Sequence, residues 1–230
     1  LFPYTTLFRS GSGKSTLLSL LQRHFDIDQG DIRYHDIPLT QLRIDSWRSR
    51  LAVVSQTPFL FSDSVASNIA LGKPDATQEE IERAATLACV HADILRLPQG
   101  YATEVGERGV MLSGGQKQRL SIARALLLDA EILILDDALS AVDGRTEHDI
   151  LHNLRLWGKG RTLIISAHRL SALAEANEIL VLQQGEIAQR GDHDALAAQP
   201  GWYRDMYRYQ QLEAALDEDE SAKGALDGDL

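Results

Sequence analysis

Three short stretches carry residue types that could do chemistry. In GSGKST, residues 11–16, Gly11 and Gly13 can let successive backbone N–H groups curl around phosphate oxygens, with Ser12 between them. Lys14 would place its ammonium on the β- and γ-phosphates, Ser15 would offer a hydroxyl to Mg²⁺, and Thr16 would lie in the first turn of the helix that follows. In EILILDD an apolar run ends in two carboxylates, and Asp136 is placed to hold a Mg²⁺ that a bound nucleotide brings. In LSGGQ, residues 112–116, Ser113, Gly114, Gly115 and Gln116 open a helix, where free N–H groups and the positive dipole end make an anion site. His168 follows the apolar run TLIISA.

The surrounding pattern supplies the elements to position them. A helix is expected over residues 14–25, short strands at GDIRYH and LAVVSQ, and a helical stretch over residues 64–97. TQEE, Thr77 and Glu80 included, has the form of a capping box opening a helix. From residue 115 onward helices alternate with apolar strands: GQKQRLSIARALLL, EILILD, GRTEHDILHNLRLW, TLIISA, LSALAEA, EILVLQQ, then a turn at GEIAQRG. Continuous apolar strands between helices predict an α/β fold with a parallel sheet covered on both faces. Residues 213–230 are acidic and poor in apolar types, so a disordered tail is expected.

The phosphate-loop pattern G-x-x-x-x-G-K-[ST] calls for its first glycine at position 8, where Phe8 stands. No strand-like run precedes the loop, and Pro3 argues against a central strand. LFPYTTLFRS is instead the translation of CTC TTT CCC TAC ACG ACG CTC TTC CGA TCT, a widely used short-read sequencing adapter. Residues 1–10 are therefore expected to be read-through, with native sequence from about Gly11 and a chain cut inside its own phosphate loop. Such a chain is expected to bind nucleotide poorly by itself.

Hydrophobic content of 44% and charged content of 24% describe an ordinary globular chain of 230 residues. A net charge of −10 weighs against a nucleic-acid-binding surface, and no nucleic-acid partner is expected. The richest apolar stretch, IARALLLDAEILILDDALSAV, is interrupted by charges and does not make a membrane span. Cys89 sits in a helical pattern as a small hydrophobe. The remaining histidines lack metal-ligand spacing, and Trp47, Trp157 and Trp202 have the character of core or interface anchors.

In their order, GSGKST, LSGGQ, ILILDD and His168 make residues 11–212 resemble the nucleotide-binding domain of ATP-binding-cassette exporters. The resemblance implies a phosphate-loop NTPase sheet with a helical subdomain at about residues 57–128, and ATP and Mg²⁺ as cofactors. It implies that Gln56 contacts Mg²⁺ and senses the membrane half, joining Ser15 and Asp136 as metal ligands. It gives His168 the γ-phosphate, and SAVD, with Asp143, the loop between subunits. TEVGERG, residues 103–109, is similar to the exporter segment that lies beside the membrane domain's intracellular loops. Two such domains dimerise head to tail, so 113–116 would complete the partner's ATP site. The implied setting is the cytoplasmic face of a bacterial inner membrane, with a membrane domain outside this chain.

One residue departs from the family pattern. The position after the Mg²⁺ aspartate is usually a glutamate that polarises the attacking water, and here it is Asp137. Losing a methylene withdraws the carboxylate by more than about 1 Å, while a base must sit within roughly 2.6–3.2 Å of its proton. The expectation is a weak catalytic site, with Asp137 and His168 as its catalytic residues, in a heterodimer with a glutamate-bearing partner. The alternatives are a non-catalytic ATP clamp, or a soluble cassette ATPase of translation or DNA repair.

Overall fold

The structure is a computed structural model that describes residues 12–106 and 109–227, giving the backbone alone for 214 and 217–227. Helix α1 (Lys14–Leu21) leads to a small hairpin, β1 (Arg33–Tyr34) and β2 (Ile37–Pro38), then α2 (Ile44–Arg48) and strand β3 (Leu51–Val54). A mostly helical stretch follows: β4 (Asp63–Ser64), α3 (Val65–Ile69), α4 (Gln78–Leu87), α5 (His91–Leu95), β5 (Glu104–Val105) and α6 (Gly114–Leu127). The remainder alternates as β6 (Ile132–Asp136), α7 (Gly144–Trp157), β7 (Thr162–Ser166), β8 (Ile179–Gln183), β9 (Glu186–Gly191), α8 (His193–Ala198) and α9 (Trp202–Asp227).

Strands β3, β6 and β7 form a parallel sheet with β6 in the middle. Leu133, Ile134 and Leu135 of β6 are completely buried, as expected of a parallel strand packed on both faces. The register sets Val54 beside Leu135 and Asp136 beside Ser166, so the three strands end together and their following loops share one edge. Ligand sites of open α/β sheets form at that edge.

Helix α6 is the pillar of the helical half, packed by α3 and α4. It is buried almost all round, from Gln118 through Leu120–Leu127 apart from Arg124, because neighbours cover every face. On α7 the buried set Glu147, Ile150, Leu151 and Leu154 forms a single stripe, the spacing of a helix covering a sheet. The capping box at α4 is formed: Thr77 Oγ1 accepts from the Glu80 N–H, and the Glu80 carboxylate accepts from the Thr77 N–H at 2.8 Å.

Four local expectations change. Helix α1 stops at Leu21 rather than residue 25, because Arg23 turns into the left-handed region at φ 51°. LSALAEA forms one short helical turn over Leu170–Leu173, enough to bury Leu170 and Leu173 and no more. Of GEIAQRG only Gly185 turns, and Glu186–Gly191 is strand β9. Gln184 (φ 53°) and Gly185 (φ 83°) make a tight two-residue reversal, so β8 pairs antiparallel with β9. Beyond residue 212, where composition predicts disorder, the backbone stays helical to Asp227, consistent with the high helix propensity of its Ala, Leu, Glu and Lys. Among the described residues no helix is long and apolar enough to cross a membrane.

Candidate active site

The phosphate-loop residues open α1. Gly11 lies outside the described residues. Gly13 caps the helix at φ 99°, a conformation that a side chain resists, and the helix start carries neither a side-chain cap nor an acidic residue. Its first-turn N–H groups and dipole therefore remain available to an anion. Ser12 is buried, and its carbonyl accepts from the Gly185 N–H at 3.1 Å, so the β8–β9 turn supports the loop. Ser15 and Thr16 are exposed. Lys14 is buried; burial lowers its ammonium below the ordinary lysine value, and the Asp137 and Asp136 carboxylates partly offset that.

The ends of the parallel strands bring the next group together. Asp136 closes β6, and Asp137 begins the following turn at φ 51°, tied to β7 by its N–H on the Ser166 carbonyl at 2.9 Å. The Asp137 carboxylate accepts from Gln56 Nε2 at 2.9 Å and lies 3.4 Å from His168 Nε2. Asp137 is 7% exposed whereas the His168 side chain is 50% exposed, so the carboxylate faces the interior and the imidazole faces out. Burial pushes the Asp137 carboxyl up, against the pull of His168, Gln56 and Lys14. A raised carboxyl is a stronger base than a solvated one. Lys14, Gln56, Asp136, Asp137 and His168 thus gather at one strand edge from four separate loops.

Ser113, Gly114, Gly115 and Gln116 lie elsewhere, at the start of α6 against the 140–143 loop. Ser113 caps the helix in a capping box with Gln116. A Cβ on Gly115 would stand 2.8 Å from the Ala141 carbonyl oxygen, so the glycine permits this contact. Asp143 caps α7 by accepting from the Thr146 N–H at 3.0 Å. Of the 103–109 segment, Glu107 and Arg108 lie outside the described residues.

Sequence reasoning missed the polar residues behind this first layer. Gln118, 3% exposed, accepts from the Ala141 N–H at 2.9 Å and donates to Ser140 Oγ at 3.3 Å, linking α6 to the 140–143 loop. Buried Glu147 accepts from Arg169 Nη1 at 2.7 Å, and the same nitrogen donates to the Val142 carbonyl at 3.1 Å. Gln118 and Glu147 each interrupt an apolar stripe, which is the only mark they leave in the sequence.

A family model for the ABC transporter matches residues 7–140, more than half of the chain. The chain belongs to the ABC transporter family. It is that family's ATP-binding domain. It is 82% identical over 91% of its length to the multidrug resistance-like ATP-binding protein MdlA of Escherichia coli (strain K12), covering 35% of that protein. It is 50% identical over 88% of its length to the ATP-dependent lipid A-core flippase of Legionella pneumophila (strain Paris), covering 34% of it. The chain therefore spans about a third of the length of these curated relatives. Among solved structures it is similar to a bacterial Atm1-family ABC exporter with ATP bound, with a TM-score of 0.87, 43% identity and coverage of 91% of this chain and 37% of that one.

Proposed function

We propose that this chain hydrolyses ATP to drive export across a bacterial inner membrane, at its cytoplasmic face, as one half of a pair of unlike subunits. The observation that carries the reading is the group formed by Gln56, Asp137 and His168 beside Lys14. Likeness to the multidrug resistance-like protein and to the exporter structure supports the direction of transport.

Each residue then has a task. Gly11, Ser12 and Gly13 wrap the phosphates, Lys14 neutralises them, and Thr16 lies in the helix turn behind them. The donors suited to Mg²⁺ are the Ser15 hydroxyl, the Asp136 carboxylate and the Gln56 amide oxygen, since Gln56 turns its nitrogen to Asp137. These are hard oxygen donors. Among the described residues no cluster of three or more His, Cys, Asp or Glu could hold a metal alone, so this set suits an ion that shares the nucleotide's phosphates and water. When bound, Mg²⁺ neutralises charge on the β- and γ-phosphates. Asp137 takes the proton of the attacking water and His168 holds the γ-phosphate. Ser113, Gly114, Gly115 and Gln116 complete the partner's site, and Asp143 stands in the loop between subunits.

The membrane half has a fitting surface. Phe59 and Met111 are 64% and 75% exposed at the lining of a cleft of about 210 Å³, and Phe61 beside Phe59 is 48% exposed. Phe59 and Phe61 pack edge to face at 4.9 Å between ring centroids, and Arg124 braces the Phe59 carbonyl at 3.1 Å. An apolar patch that begins three residues after Gln56 in the chain suits the docking of membrane-domain loops.

Asp137 decides between equal and unequal sites. In the assembled transporter, Asp137→Glu is expected to raise ATP turnover at this site, by up to about a hundredfold if reach alone limits the base. Asp137→Ala is expected to leave the glutamate-bearing site working. Loss of all turnover in Asp137→Ala would refute the unequal pair.

A further inference from the structure

The backbone of His168 is supported by a side chain from α9. After β7 the backbone runs extended through Arg169 (φ −94°, ψ 122°) into the turn at Leu170. The side-chain amide of Gln210, on α9, closes on this segment from both directions. Its Nε2 donates to the His168 carbonyl at 2.8 Å, and its Oε1 accepts from the Leu170 N–H at 2.8 Å. Leu170 is completely buried, so that N–H has no access to water and needs a partner.

The helix that carries Gln210 is itself anchored. Tyr203 is completely buried, its hydroxyl 2.8 Å from His193 Nδ1 and its N–H on Gln189 Oε1 at 2.9 Å. Trp202, Met206 and Tyr207 pack against the core. Past Gln210, Leu212 and Leu216 are exposed, so Gln210 is near the last point at which α9 grips the domain. The same C-terminal unit reaches the phosphate loop through the Gly185 N–H on the Ser12 carbonyl.

We propose that Gln210 is a positioning residue that fixes the His168 backbone, so that α9 sets where the imidazole stands. The proposal rests on the role given to His168 above. Two hydrogen bonds from one planar amide fix both translation and rotation of the 168–170 peptides. Without them the imidazole keeps its chemistry but loses its place.

The test is ATP turnover by the assembled transporter whose partner subunit carries glutamine in place of its catalytic glutamate, so that turnover reads this chain's own site, with Gln210→Ala, Gln210→Met and Gln210→Glu, each with and without His168→Ala. Gln210→Met keeps the bulk and removes both hydrogen bonds; Gln210→Glu keeps the acceptor for Leu170 and so guards against a variant that fails to fold. Ala and Met are expected to lower kcat about tenfold, short of the roughly hundredfold that a full 1 Å misplacement costs, with KM for ATP changed less than about twofold. Glu is expected to fall between them and the parent. In the His168→Ala background any Gln210 change should alter kcat by less than about twofold, because the two act through one group. Unchanged kcat in Gln210→Met and Gln210→Glu, or losses that multiply with His168→Ala, would overturn the clamp. If His168→Ala itself left turnover intact, the role of His168 would fall, and that result is distinct from a failure of Gln210 alone.

Discussion

Arg169→Ala probes the charge pair that holds the loop after β6. Glu147 is 5% exposed on α7, its carboxylate paired with Arg169, whose side chain is 44% exposed. Burial pushes the Glu147 carboxyl up; the Arg169 hydrogen bond and charge pull it back, while Asp137 and Asp143 push it further up. Truncating one partner of a fully buried pair costs about 3–5 kcal/mol. Water reaches Arg169, so about 2 kcal/mol is expected near neutral pH. The sign of the pH dependence follows from the raised carboxyl. Between its unfolded and folded values the folded chain holds the extra proton, so this group's contribution is full below the unfolded value and is lost as pH rises through the folded one. Removing Arg169 takes away a group that pulls the carboxyl down and extends that window upward. The deficit of Arg169→Ala should therefore be greatest at about pH 7.5 and shrink towards about pH 5. Urea unfolding of the parent, Arg169→Ala, Glu147→Gln and the double variant at both pH values measures it. The double variant should recover all but about 1 kcal/mol, since the uncompensated charge is gone. A deficit below about 0.5 kcal/mol for Arg169→Ala at the higher pH, or one that does not shrink on acidification, would refute this account.

Two further substitutions separate the site from the scaffold. Gly115→Ala brings a methyl to 2.8 Å from the Ala141 carbonyl; because backbone cannot swing aside like a side chain, a loss of about 1–3 kcal/mol is expected by thermal melting, together with reduced turnover in the assembled transporter. Thr77→Ala removes half of the α4 capping box and should cost about 1 kcal/mol in urea unfolding while leaving turnover per folded molecule unchanged.

The legible parts of this molecule are those that a local pattern encodes. The capping box at Thr77, the apolar strand β6 and the helix α7 follow from short-range periodicity and cap chemistry, and each stands as expected. Where two local patterns compete, the sequence misleads. GEIAQRG carries turn residues at both ends, yet the left-handed pair Gln184 and Gly185 takes the whole reversal and leaves β9 free to pair. Which residues take the reversal decides whether β9 pairs back on β8, and strand periodicity does not contain that choice. The same holds at the site. Lys14, Gln56, Asp136, Asp137 and His168 are recognisable through their motifs, whereas Gln118, Arg169 and Gln210 are polar residues in helices or beside a motif, defined only by what folding brings against them.

Those less legible residues share a geometry that bears on how the site responds to a partner. The 140–143 loop is gripped from α6 by Gln118 on Ala141 and Ser140, from the His168 segment by Arg169 on Val142, and from within by Ser140 Oγ on the Asp137 carbonyl at 3.0 Å. The helix opened by Ser113, the backbone of Asp137 and the side chain of Arg169 are therefore joined through one short segment. If 113–116 complete a partner's site as proposed, a displacement of Gly114 and Gly115 has a hydrogen-bonded route to the Asp137 backbone that passes through Gln118 and Ser140. Coupling of this kind needs an element with two discrete arrangements, and a loop held by three separate polar contacts can exchange one set of partners for another without disturbing the apolar core beneath it.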